Sequence, residues 1–80
     1  MKIWFVLEAN NIDTDVWISP PFYSEEQAKK HLFERYEENV LEIGEDVVES
    51  VHHNDDAYSI LTFGDDYFYG VIRSVDIKEN

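Results

Sequence analysis

The sequence predicts a single small α+β domain, an antiparallel sheet with one helix packed on a face, in the order β-β-α-β-β-β. Three observations carry this. One stretch, from Phe22 to Asn39, has a complete helix grammar. The segments on either side of it are rich in β-branched and aromatic residues and are punctuated by Asn, Asp and Gly, the composition of short strands and tight turns. Finally, 80 residues with 15% aromatic content and no cysteine make one unstapled core and leave no room for a second.

Taken in order, Ile3-Trp-Phe-Val-Leu7 is apolar at every position, the mark of a strand covered on both faces or central in its sheet. Asn10 and Asn11 suit the positive-φ positions of a two-residue hairpin turn. The run Ile12 to Ile18 then alternates: Ile12, Thr14, Val16 and Ile18 fall on one face, and Asp13, Asp15, Trp17 and Ser19 on the other. Pro20-Pro21 prevents the helix from extending backwards. Ser24 with Gln27 reads as a capping box, with Tyr23 and Ala28 at the staple positions. Glu25 and Glu26 favour the helix N-terminus, and each stands four residues before a lysine. Ala28, Leu32, Tyr36 and Val40 keep the i, i+4 rhythm, and Gly44 is a natural stop.

Beyond the helix, Asp46 to His53 fits either a short helix or a strand, and its β-branched density favours strand. Asn54 to Ala57 reads as a turn, Tyr58 to Phe63 as a strand, Gly64-Asp65-Asp66 as another turn, and Tyr67 to Ile77 as a long last strand. Gly70 interrupts the alternation of that strand and is expected to mark a bulge. Lys78 to Asn80 forms a frayed tail. Leu32, Tyr36, Val40, Ile3, Phe5, Leu7 and Ile60 are the expected core.

The net charge is -12, from 18 acidic and 6 basic residues. A field of this sign repels nucleic acid and anionic membranes and attracts basic proteins. No apolar run approaches the ~18 residues of a membrane span. The opening Met-Lys-Ile-Trp-Phe-Val-Leu is a strand rather than a signal peptide, and the expected location is the cytoplasm. No cofactor is expected. His52-His53 with Asp55 and Asp56 has ligand types but not ligand geometry, because adjacent strand residues point to opposite faces. Asp13-Thr-Asp15 places two carboxylates on one strand face, but it lacks the glycine and distal glutamate of a calcium loop. Ser24 is used as a cap, and there is no Gly-rich phosphate loop, so no enzyme activity is expected.

The distribution of charge is more informative. Between Tyr36 and Ile72 there is no Lys or Arg, while Glu37, Glu38, Glu42, Glu45, Asp46, Glu49, Asp55, Asp56, Asp65 and Asp66 accumulate. If strands and helix alternate direction, the Asn10-Asn11 turn, the helix end with Glu42, Glu45 and Asp46, and the Asp65-Asp66 turn gather at one end. Two readings stand side by side: acid-rich turns that keep a small protein soluble, and an acidic face shaped for a basic partner. Trp17, an aromatic on a polar face, is a candidate contact anchor in the second reading.

A short chain opening with Lys2-Ile-Trp-Phe-Val-Leu7, a hairpin, and then Phe22-Tyr-Ser-Glu-Glu-Gln-Ala28 before a helix resembles the small proteins of phage and prophage genomes. The likeness covers the first half of the chain and contains no diagnostic motif. Acidic members of that population include anti-restriction and anti-CRISPR inhibitors, which present carboxylates where phosphates would lie. The resemblance implies a non-enzymatic inhibitor that blocks a basic, nucleic-acid-handling surface without binding nucleic acid itself, and it carries over no residue; from the charge distribution and strand parity alone the expected contact residues are Glu42, Glu45, Asp46, Asp65, Asp66 and Trp17. A toxin-neutralising immunity protein would use the same physics. The alternative is a structural or assembly module making homodimeric or edge-strand contacts through exposed aromatics.

Overall fold

The computed structural model describes residues 1–10, 16–62 and 65–78, without the side chains of Leu61, Asp65, Asp66 and Tyr67. Five strands form one antiparallel sheet: β1 Lys2–Asn10, β2 Trp17–Ile18, β3 Val48–His53, β4 Ala57–Thr62 and β5 Asp65–Asp76. Their spatial order is β2-β1-β5-β4-β3. The helix α1, Glu25–Ile43, lies across one face, and a 3-10 turn at Glu45–Val47 joins it to β3. The predicted α+β class and element order hold.

The helix forms where its grammar places it. Ser24 is extended and its Oγ accepts the Gln27 N–H at 3.2 Å, and Glu25 pairs with Lys29 at 3.4 Å. Tyr23 stays exposed, so the residue that anchors the entry is Phe22 instead. It packs against the core and exchanges backbone hydrogen bonds with Trp4. At the other end Gly44 has φ 86° and its N–H donates to the Val40 carbonyl, a conformation open to glycine and costly for other residues.

The core is the interleaving of Ala28 and Leu32 with Val6, Ile60, Phe68 and Ile72. In the β1 ladder Val6 pairs with Ile72 and Glu8 with Gly70, so the even-numbered residues of both strands face the helix. Ile3, Phe5 and Leu7 were expected in the core. They point to the opposite face and are only half-buried, because the single helix covers one side of the sheet. Gly70 is no bulge. Its pairing with Glu8 and Tyr58 is regular, and a Cβ there would lie 2.6 Å from Leu32 Cδ1. The glycine therefore makes room for the helix. The bulge in β5 is at Tyr67, since Ile60 pairs with Phe68 but Leu61 with Asp66. A second lies at Glu49 in β3, where Val48 pairs with Thr62 and Ser50 with Leu61.

Two further expectations change. Of the second strand, predicted over Ile12 to Ile18, only Val16 to Ile18 are described; among these Trp17 and Ile18 pair with β1, and both are exposed. Asn11 to Asp15, including the Asp13–Asp15 carboxylate pair, lie outside the described residues. Asp65 and Asp66 were expected in a turn. Their backbones instead continue the β5 ladder, opposite Thr62 and Leu61, because the bulge at Tyr67 lets pairing resume beyond it. Phe63 and Gly64 lie outside the described residues. Among the described residues no helix is long and apolar enough to cross a membrane.

Candidate functional site

Chain direction assembles an acidic end. The helix starts beside Trp4, near the first residues of β1, and its last residue feeds through Gly44 and the 3-10 turn into β3. The first residue of β3, Val48, pairs with Thr62, and Thr62 pairs with Asp65. The β3 and β5 backbones are thus two strand spacings apart there, about 10 Å. Asn10, the last residue of β1, pairs with Phe68, two residues from Asp66. Glu42, Glu45, Asp46 and the backbones of Asp65 and Asp66 therefore share one end of the molecule, together with Glu49 in the β3 bulge.

No lysine lies at that end. Lys2, Lys29, Lys30 and Lys78 all sit at the opposite end, interleaved with Glu25, Glu26, Asp55, Asp56 and Asp76. Arg35, in the middle of the helix, is already engaged. Its Nη2 donates to Glu8 Oε1 at 2.7 Å and its Nε to Glu8 Oε2 at 2.9 Å, while Nη1 reaches Glu38 at 2.6 Å. The hydrogen bond that Arg35 donates to Glu8 raises the guanidinium's pKa above its already high ordinary value, against the opposing effect of burial. A fork held on two carboxylates keeps its charge in place rather than neutralising the acids beyond it.

Trp17 does not join this group. It is exposed, pairs with Glu8 and belongs to the edge strand β2, while Glu45 and Asp46 lead into the other edge, β3. Four strand spacings, roughly 19 Å, separate the two edges. In its place the acidic end has two apolar side chains that sequence reasoning passed over. Leu41 is 78% and Val47 45% exposed. The available signal was helical neighbourhood: Leu41 stands off the buried stripe, and its neighbours at i−4, i−3 and i+4 are Glu37, Glu38 and Glu45.

The remaining candidates separate in space. His52 pairs with Ser59 on the open face of the sheet, and His53 with Tyr58 on the helix face. The His53 ring stacks on Tyr58 at 5.3 Å, and Tyr58 stacks on Tyr36 at 4.8 Å. His52 Nε2 lies 3.3 Å from Ser50 Oγ. Among the described residues no three potential ligands converge as a metal site would require. A shallow cleft of about 360 Å³ is lined by Lys29, Leu32, His53, Asn54, Asp55 and Tyr58. Compared with known proteins, the chain matches no family model, no curated protein and no solved structure.

Proposed function

We propose that this is a non-enzymatic protein-binding domain whose acidic end, built from Glu42, Glu45, Asp46, Asp65 and Asp66, docks on a basic, nucleic-acid-binding surface of a partner protein and blocks it. The observation that supports this reading is the one-ended separation of charge. Acids stand at both ends, but the lysines are confined to the far end and Arg35 is tied to Glu8 and Glu38, so only this end is acidic without lysine. Exposed Leu41 and Val47 among the acids add apolar contact of the kind that anchors an interface, which a purely solvating surface would lack.

The test is capture of a partner from the host at low salt, followed by competition. Each exposed ion pair contributes only ~0–1 kcal/mol, so the charges act together, mainly on the association rate. Binding should weaken steeply between ~50 and ~500 mM salt, as screening shortens the reach of the field. Duplex DNA or RNA should displace the domain from its partner. The combined change Glu45→Gln, Asp46→Asn, Asp65→Asn and Asp66→Asn should slow association more than it speeds dissociation. A complex that is indifferent to salt and to nucleic acid would overturn the reading.

A further inference from the structure

The helix covers one face of the sheet, and no described element lies on the other. That open face is formed by Ile3, Phe5, Leu7 and Ala9 of β1, Ile18 of β2, Tyr69, Val71, Arg73 and Val75 of β5, and Ala57 and Ser59 of β4, all placed by the register of pairing. Ile18, Tyr69 and Val75 are 67%, 50% and 51% exposed, while Val71 and Ala57 are 7% and 9% exposed. An antiparallel sheet with a solvated face normally alternates apolar with polar residues. This face does not along β1 and β5: the residues just named include no carboxylate, and the register adds Ser50 and His52 of β3 and, at the acidic end, the backbones of Leu61 and Asp66.

We infer that the open face binds a second copy of the same chain, with the strands of the two copies antiparallel and the two-fold axis crossing the strands at Val71. Three arguments favour a second copy over other occupants. The first is charge. At a net charge of -12 the chain repels nucleic acid and anionic lipid, and two such chains approach closely most readily through a surface poor in carboxylates. An axis running along the strands would set the two acidic ends against each other. An axis across them keeps the two acidic ends apart, each over the end where Lys2, Lys29, Lys30 and Lys78 stand among Glu25, Glu26, Asp55, Asp56 and Asp76.

The second argument is shape. Ile18, Leu7, Val71 and Ala57 are successive register partners in four neighbouring strands, and they form an apolar row at the centre of the face. With the axis on that row, each of these residues meets its own counterpart, as an isologous interface requires. The residues two places along the strands then complement one another. Phe5 and Arg73 are partners on one side of the row, and Ala9 and Tyr69 on the other. The rotation therefore sets Phe5 over Ala9 of the second copy, large against small, and Arg73 over Tyr69 of the second copy, a cation on an aromatic ring. The Arg73 guanidinium is then paired rather than buried alone.

The third argument is area. A nine-residue ladder is ~30 Å long and five strands span ~20 Å, so the face offers ~600 Å² in projection, close to the ~800 Å² of accessible surface that each partner contributes to a standard interface. This inference is independent of the acidic end, and the variants below leave that end untouched.

The experiment is sedimentation equilibrium of the intact chain at ~150 mM salt, where the Debye length is ~8 Å. The mass of a dimer is expected. Ile18→Asp on the axis and Tyr69→Asp beside it alter side chains already exposed in the single copy, so the fold, checked by far-UV circular dichroism, should persist. Each should weaken dimerisation by at least ~10-fold, whereas Leu41→Glu on the helix side should not. The chain has no cysteine, so Asp76→Cys provides a unique position for a nitroxide label. Asp76 is five residues from Val71, and the two labels should lie ~30 Å apart. A monomer at all concentrations, or a dimer unaffected by Ile18→Asp and Tyr69→Asp, would overturn the interface. Labels within ~15 Å would overturn its antiparallel orientation.

Discussion

At the scale of single residues, the fit between Gly70 and Leu32 sets how closely helix and sheet approach. Leu32 is fully buried, and its Cδ1 occupies the space that a Cβ on Gly70 would need, at 2.6 Å, with the Phe68 ring at 2.9 Å on the other side. Gly70→Ala should destabilise the domain by about 1–3 kcal/mol through overpacking, and Leu32→Ala by about 2–5 kcal/mol through the cavity it leaves. The two effects have one cause with opposite signs. The double variant should therefore be clearly more stable than the sum of the single losses predicts, by ~1 kcal/mol or more in a denaturant double-mutant cycle. Additivity within a few tenths would show that the helix does not seat where Gly70 makes room for it.

At the scale of elements, the helix C-terminus decides where the acids go. Gly44 turns the chain at φ 86° with nothing within 4 Å of its missing side chain. A substitution there meets no steric obstacle and acts through backbone strain alone. Gly44→Ala should cost about 1–3 kcal/mol, while Ser24→Ala at the other end should cost about 1 kcal/mol through the lost cap. Urea unfolding of both variants measures this. If Gly44→Ala proved neutral, the turn that carries Glu45 and Asp46 to the acidic end would be conformationally loose, and the case for a shaped surface would weaken with it.

At the scale of the molecule, the dominant force outside the core is repulsion. The net charge is -12, no lysine stands beside Glu42, Glu45, Asp46 and Glu49, and Arg35, in the middle of the helix, is already committed to Glu8 and Glu38. The folded state holds these carboxylates closer together than the unfolded chain does, so screening should favour folding. Melting at ~500 mM salt should occur several degrees above that at ~20 mM, as the Debye length falls from ~20 Å to ~4 Å. A transition temperature that did not rise with salt would mean that the acids are not crowded.

The helix and its cap, the order of elements, the strand after Asp46 and the stop at Gly44 were all legible in the sequence, because each depends on residues within one or two turns of one another. The tract without lysine or arginine was equally plain. What local pattern could not decide was which side of each strand is buried. The first strand is apolar on both sides, so its parity alone favoured Ile3, Phe5 and Leu7 as much as Trp4 and Val6. Only the position of the helix across β1, β5 and β4 chose the second set. The role of Gly70 was hidden for the same reason: a glycine in a strand permits a bulge or a close approach, and the choice depends on a leucine 38 residues earlier in the chain. Sequence by itself determined the elements and the sign of the charge, which arise from neighbours along the chain. Tertiary structure decided the faces, and with them which apolar residues were left for something else to cover.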